Sequence, residues 1–200
     1  MKARFAYFRL IWAFLLLFLS GQLQAQGVYL NKLPNTSVNA VTEDHQGFLW
    51  IGTTHGLSRY DGFNYLTFYT QNNDYSLVND AIQVLMTDAQ GRMWISTECG
   101  LSVYENDRFR HPDATSYNVK FRLLDVDENT LLAADRQGVV LVDKKTFHES
   151  KSFNTPKNTW PFLFYNKGKQ QIWVICPNPE LRMTTTYVFD KELNLIETSQ

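Results

Sequence analysis

The stretch Asp44-His45-Gln46-Gly47-Phe48-Leu49-Trp50-Ile51-Gly52-Thr53-Thr54-His55-Gly56-Leu57-Ser58-Arg59-Tyr60 is nearly rewritten 44 residues later, as Asp88-Ala89-Gln90-Gly91-Arg92-Met93-Trp94-Ile95-Ser96-Thr97-Glu98-Cys99-Gly100-Leu101-Ser102-Val103-Tyr104. One Asp, two Gly, one Trp, one Thr and one Tyr keep their places in both copies. A period of this length makes the repeat the unit of structure. It also assigns the repeated residues to packing, which every unit needs, rather than to chemistry, which is rarely needed twice.

The first copy reads as four short strands: Val38 to Glu43, Phe48 to Thr53, Leu57 to Tyr60 and Phe63 to Tyr69. Between them lie Asp44 to Gly47, Thr54-His55-Gly56 and Asp61-Gly62, where Asp can bond the backbone ahead of it and Gly takes the positive φ that closes a hairpin. Four antiparallel strands within a 44-residue period describe a propeller blade. A second blade repeats the plan over Ala81 to Thr87, Arg92 to Thr97, Leu101 to Glu105 and Arg108 to His111. The third is shorter, with strands at Arg122 to Val126, Thr130 to Ala134 and Val139 to Asp143, and Leu132 stands where the tryptophan would be. The fourth has a turn at Asn166-Lys167-Gly168 and strands at Gln171 to Cys176, Thr184 to Asp190 and Leu193 to Glu197. Pro177-Asn178-Pro179 reads as an insertion interrupting its strands.

The expectation is an all-β propeller of four-stranded antiparallel blades, at about 33–76, 77–115, 116–155 and 156–200 within an exported part spanning 26–200. Leu195 to Gln200 looks like a blade-to-blade passage, and four blades are near the lower limit for closure, so a larger propeller is expected. A closed four-blade ring is the alternative.

Lys2, Arg4 and Arg9 flank an unbroken apolar run from Leu10 to Leu19, and Ala25 offers a small residue for cleavage, so residues 1–25 read as a signal peptide. Ten apolar residues fall short of the ~20 that a membrane span needs. Uncleaved anchoring is the alternative. A net charge of −1 argues against direct nucleic-acid binding, and 14% aromatic residues favour sheet over helix. Cys99 and Cys176 form neither a disulfide framework nor a metal-ligand spacing and read as unpaired thiols, with a mutual pair as the alternative.

The pattern Asp-x-x-Gly-x-Leu/Met-Trp-Ile-Gly/Ser-Thr-x-x-Gly-Leu-x-x-Tyr at 44–60 and 88–104 resembles the two-component regulator propeller repeat. The lead-in Leu33-Pro34-Asn35-Thr36-Ser37-Val38-Asn39 resembles the opening of the first blade in such sensors. The third and fourth units lack the full Trp-Ile-Gly-Thr string and rest on position and spacing. The resemblance implies the N-terminal periplasmic sensor region of a hybrid two-component sensor histidine kinase/response regulator. It further implies recognition of an oligosaccharide ligand, control of glycan-use genes through a homodimeric receptor, and membrane contact only through downstream parts of the parent protein.

Trp50, Trp94 and Trp173 recur in apolar strands, which favours packing between blades over stacking on a sugar; Trp50→Ala should cost about 3–5 kcal/mol. Gly47, Gly56, Gly91 and Gly100 mark the hairpins of the structural repeat. Asp44 and Asp88 read as turn residues of separate blades rather than as a glycosidase pair, which needs a separation of about 5–10 Å. His45, His55, His111 and His148 lack ligand spacing, so no metal is expected. With no phosphate loop, nucleophile elbow or Cys–His arrangement, no catalytic residue and no cofactor is expected, and the segment reads as a non-enzyme.

The ligand candidates are polar residues that vary within the repeated frame. His55, Glu98 and Arg136 occupy corresponding turns between second and third strands, and Asn39, Asn79 and Asp80 lie on the blade-to-blade connections of the same rim. The plainer reading makes them ordinary solvated turns. The function expected is an extracytoplasmic ligand-recognition propeller. The alternatives are a periplasmic propeller enzyme, a glycan lyase or hydrolase, and a scaffold that only mediates dimerisation.

Overall fold

Turn chemistry and short apolar runs resolve into sixteen strands among the described residues of a computed structural model, which are 32–200 without 72, 74, 112–121, 158 and 179. The expected signal peptide lies outside the described residues. β1 (Val38–Glu43), β2 (Leu49–Thr53), β3 (Gly56–Tyr60) and β4 (Tyr65–Phe68) make the first sheet, in chain order. β5 (Ile82–Thr87), β6 (Met93–Thr97), β7 (Gly100–Glu105) and β8 (Arg108–Arg110) make the second. β9 (Arg122–Asp125), β10 (Thr130–Ala134), β11 (Gly138–Asp143) and β12 (Glu149–Asn154) make the third. β13 (Phe162–Asn166), β14 (Gln171–Asn178), β15 (Met183–Asp190) and β16 (Leu195–Ser199) make the fourth. Every sheet is an antiparallel meander, and the chain is an all-β propeller of four-stranded blades.

The first strand of each blade packs on the first strand of the next: β1 on β5, β5 on β9 and β9 on β13. Among the described residues no comparable packing joins β13 back to β1, as a four-blade ring would need. The core is divided among the junctions. Trp50, Leu57, Ile82, Met93, Ile95 and Phe109 fill the first, between blades one and two. Trp94, Val103, Leu131, Ala133, Val140 and Phe147 fill the second. Leu132, Ala134, Leu141, Ile172, Val174 and Phe189 fill the third. In β10, Leu131 faces blade two and Leu132 faces blade four, which explains why that strand reads as continuously apolar rather than alternating. Each such burial contributes about 1.5–3 kcal/mol.

The repeated Thr-x-x-Gly has a local cause. Thr53 Oγ1 donates to the Gly56 carbonyl at 2.9 Å and accepts from the His55 N–H at 3.1 Å. Thr97, Gly100 and Cys99 repeat this geometry. In blade three Asp135 takes over, its carboxylate accepting from the Gln137 and Gly138 N–H groups.

Three departures from the sequence reading stand out. β12 completes blade three although its residues Glu149 to Phe153 are mostly polar and exposed. Pro177 does not interrupt the fourth blade: β14 runs on to Asn178, with Pro177 opposite Thr184. Pairing with β13 ends at Ile175, so the missing N–H removes no hydrogen bond on that side. Trp173 faces away from the blade before it, as Trp94 does, but is half-buried where Trp50 and Trp94 are fully buried.

Candidate functional site

In each blade the antiparallel order puts the turns after the first and third strands at one end. The turns after the second strand and the blade-to-blade connections lie at the other. The six ligand candidates from the sequence occupy that second end. His55 is exposed, with Nδ1 at 3.3 Å from Asn35 Nδ2 and 3.0 Å from Thr54 Oγ1. Exposed Glu98 accepts from Gln83 Nε2 at 3.4 Å, and Arg136 holds its guanidinium over the half-exposed Trp160 ring, 5.2 Å from the centroid. The three share a turn type, but by register His55 corresponds to Cys99 and Gln137, while Glu98 and Arg136 correspond to Thr54.

The other three candidates hold the scaffold together. Asn39 Nδ2 donates to the Ile82 carbonyl at 2.8 Å and ties blade one to blade two. Asn79 Oδ1 accepts from the Ala81 N–H at 2.9 Å. Asp80 accepts from the Thr70 N–H at 2.6 Å through its carboxylate and from the Gly56 N–H at 2.8 Å through its carbonyl. The structure therefore gathers the six on one rim; His55, Glu98, Arg136 and Asn39 are exposed, while Asn79 and Asp80 are half-buried.

The opposite end carries the most concentrated chemistry, and local sequence pattern did not indicate it. Asp44 Oδ1 accepts from the Gln46 and Phe48 N–H groups, and its Oδ2 accepts from Trp50 Nε1 at 2.7 Å. Asp88 repeats these bonds with Gln90, Arg92 and Trp94, and gains Arg92 Nε at 2.8 Å. Burial pushes the Asp88 carboxyl up, but the bonds from Trp94 and Arg92, with the guanidinium charge, outweigh it and hold it below the ordinary carboxylate value. Lys144, fully buried, bonds Asp125 and the Asp127 carbonyl and stands 3.7 Å from Asp88 Oδ2.

Between blades one and two the corresponding space is a cavity of about 450 Å³, lined by Asp44, Gln46, Arg59, Tyr104, Asn106 and Asp107 among others. Arg59 lies over the Phe48 ring at 4.6 Å and the Trp50 ring at 5.7 Å, and donates to the Tyr104 hydroxyl at 3.3 Å. Burial, then the bond to Asp107, pushes the Tyr104 phenol up to about 12. Among the described residues no group of three or more His, Cys, Asp or Glu could hold a metal ion.

The architecture is that of a β-propeller whose first two blades carry one repeated frame. Residues 32–55 and 76–99 match the family described as two component regulator propeller. In structure the chain is similar to the extracellular domain of BT4673 from B. thetaiotaomicron, described in one structure as a one component system, with a TM-score of 0.56 and 15% identity over 82% of this chain and 30% of that one. A second structure, described as a hybrid two component system, gives a TM-score of 0.56 and 14% identity over 82% and 31%. Apo AztD from Citrobacter koseri gives 0.58 and 11% identity over 81% and 46%. At these identities the likeness is one of fold, and the chain spans about three tenths of the length of the BT4673 domain. No curated protein matches the sequence.

Proposed function

We propose that this chain is an extracytoplasmic ligand-recognition propeller of a hybrid two-component system governing glycan use, which passes its state to a histidine kinase elsewhere in the protein. The observation that carries the reading is the repeat match at 32–55 and 76–99 on a fold shared with extracellular domains of that description. Burial of Trp50 and Trp94, and the buried bonds of Asp88 to Trp94 and Arg92, commit these repeated residues to the frame. Recognition falls to side chains whose identity or surroundings differ between blades, with His55, Glu98 and Arg136 presented on one rim. Ligand contact would favour one packing of the blades over another, and a homodimeric receptor would transmit that bias.

Calorimetric titration of the purified chain against a panel of oligosaccharides, with chromatography of the sugars afterwards, tests the proposal. Saturable binding with the sugars unchanged is the expected result. Turnover would make the propeller an enzyme, and neither binding nor turnover would make it a scaffold.

A further inference from the structure

The first and second junctions come from the same repeat and differ in where their positive charge comes from. At the second, the ammonium of Lys144, the residue following β11, enters beside the Asp88 turn of the preceding blade. Counted from the turn glycines Gly100 and Gly138, the same place in blade two belongs to Asn106, which lines the cavity beside the Asp44 turn. Arg92, whose Nε holds Asp88 at 2.8 Å, corresponds to Phe48. Both cations of the second junction thus have uncharged counterparts one blade earlier, while Arg59 and Arg92 itself also line the first cavity. Among the described residues no cationic side chain pairs with Asp44, because Arg59 is engaged with two aromatic rings, the Tyr104 hydroxyl and Asp107 at 3.9 Å.

We infer that the junction cavity between blades one and two binds the primary ammonium group of a small polar ligand, with Asp44 as its counter-charge. In the neighbouring blade the Lys144 ammonium lies 3.7 Å from Asp88, the counterpart of Asp44, and is bonded by Asp125 and the Asp127 carbonyl. Thr87 stands in the place of Asp125 at the first junction, where Glu105 and Asp107 line the cavity instead. A cavity of about 450 Å³ lies within the usual range of small-ligand sites. Gln46, Tyr104 and Asp107 place further hydrogen-bonding groups around it, which suits an amino sugar, while a lysine derivative would supply the same ammonium. The inference rests on the ligand-recognition reading and narrows it to one site and one functional group.

The test titrates the whole chain with glucosamine, N-acetylglucosamine and Nα-acetyl-lysine amide, following tryptophan fluorescence and heat. At least one ammonium probe should bind, glucosamine should bind at least about tenfold more tightly than its acetylated counterpart, and binding should weaken with salt. The tighter of the two ammonium probes identifies the source of the group. Asp44→Asn should abolish binding, and Asn106→Lys, which adds a cation at the rim of the cavity, should weaken binding while thermal melting reports that the fold is intact. Equal affinity for the amino and acetylated sugars, binding by neither ammonium probe, or unchanged binding in a folded Asn106→Lys protein would overturn the inference. Neutral oligosaccharides that bind wild type and both variants alike would sustain the sensor reading and remove this site from it.

Discussion

The indole Nε1 of Trp94 donates to Asp88 Oδ2 at 2.8 Å. Trp50 and Asp44 make the same bond at 2.7 Å, so two residues six apart in the repeat form a single device. The carboxylate closes the turn with one oxygen and satisfies a buried indole with the other. Blade three loses both members together, with Val126 and Leu132 in their places. Blade four keeps Trp173 with Lys167 at the six-residue spacing, and the Trp173 Nε1 is buried without a partner among the described residues.

Asp44→Ala and Asp88→Ala should therefore differ in cost. Removing Asp44 leaves one indole and two turn N–H groups unsatisfied beside a cavity, a loss of about 1–3 kcal/mol. Removing Asp88 also leaves Arg92 without its carboxylate in a buried setting, a loss of about 3–5 kcal/mol. Urea unfolding measures both, and an Asp88 variant no weaker than the Asp44 variant would count against the network.

Acid should destabilise the fold. The N–H of Thr146 is the main influence holding the Asp143 carboxyl below its ordinary value, and Asp88 is also held down despite its burial. A carboxylate with a lowered folded value stabilises above the unfolded value and loses that contribution as pH falls through the folded one. The urea midpoint should decline below about pH 4, and Asp143→Asn should flatten that decline.

At the alkaline end the order reverses. Burial pushes the Tyr104 phenol up to about 12, so its contribution is intact below the unfolded value and lost as pH rises through the folded one. Absorbance titration of tyrosinate should show a late component that Tyr104→Phe removes.

Gly52 meets the next blade directly. A Cβ there would lie 2.5 Å from Ile82 Cγ2 and 3.0 Å from Ile82 Cβ, although the corresponding places in blades two and three carry Ser96 and Ala134. Gly52→Ala should cost about 1–3 kcal/mol by forcing the first junction apart. Gly52→Ala combined with Ile82→Val should recover part of the loss in melting temperature.

The thiols should react in sequence. Cys99 is exposed in the β6–β7 turn, whereas Cys176 is buried in the third junction and burial pushes its thiol up. A colorimetric thiol reagent should titrate one thiol in the native protein and two after unfolding.

How much could be read in advance depended on whether a residue's role was local. Thr-x-x-Gly and Asp-x-x-Gly answer backbone demands within a few residues, so the first two blades were legible nearly to their strand ends. β12 was not, because an outer strand such as Glu149–Asn154 needs little apolar alternation. Lys144 precedes Lys145 and reads as part of a solvated doublet; its burial depends on carboxylates from two blades, which no window around it contains. The junction cavity had a signal of another kind, the pairing of Arg92 with Phe48 and Lys144 with Asn106, visible only when the copies are compared for their differences.

The chain-order meanders also bear on how this protein reaches its folded state. Each sheet takes all its ladder partners from its own contiguous stretch, so closing it requires only short loops and little chain entropy. Docking then joins each sheet to the one made just before it. A polypeptide delivered end-first can therefore acquire structure one blade at a time, each new sheet finding a finished apolar surface as its template.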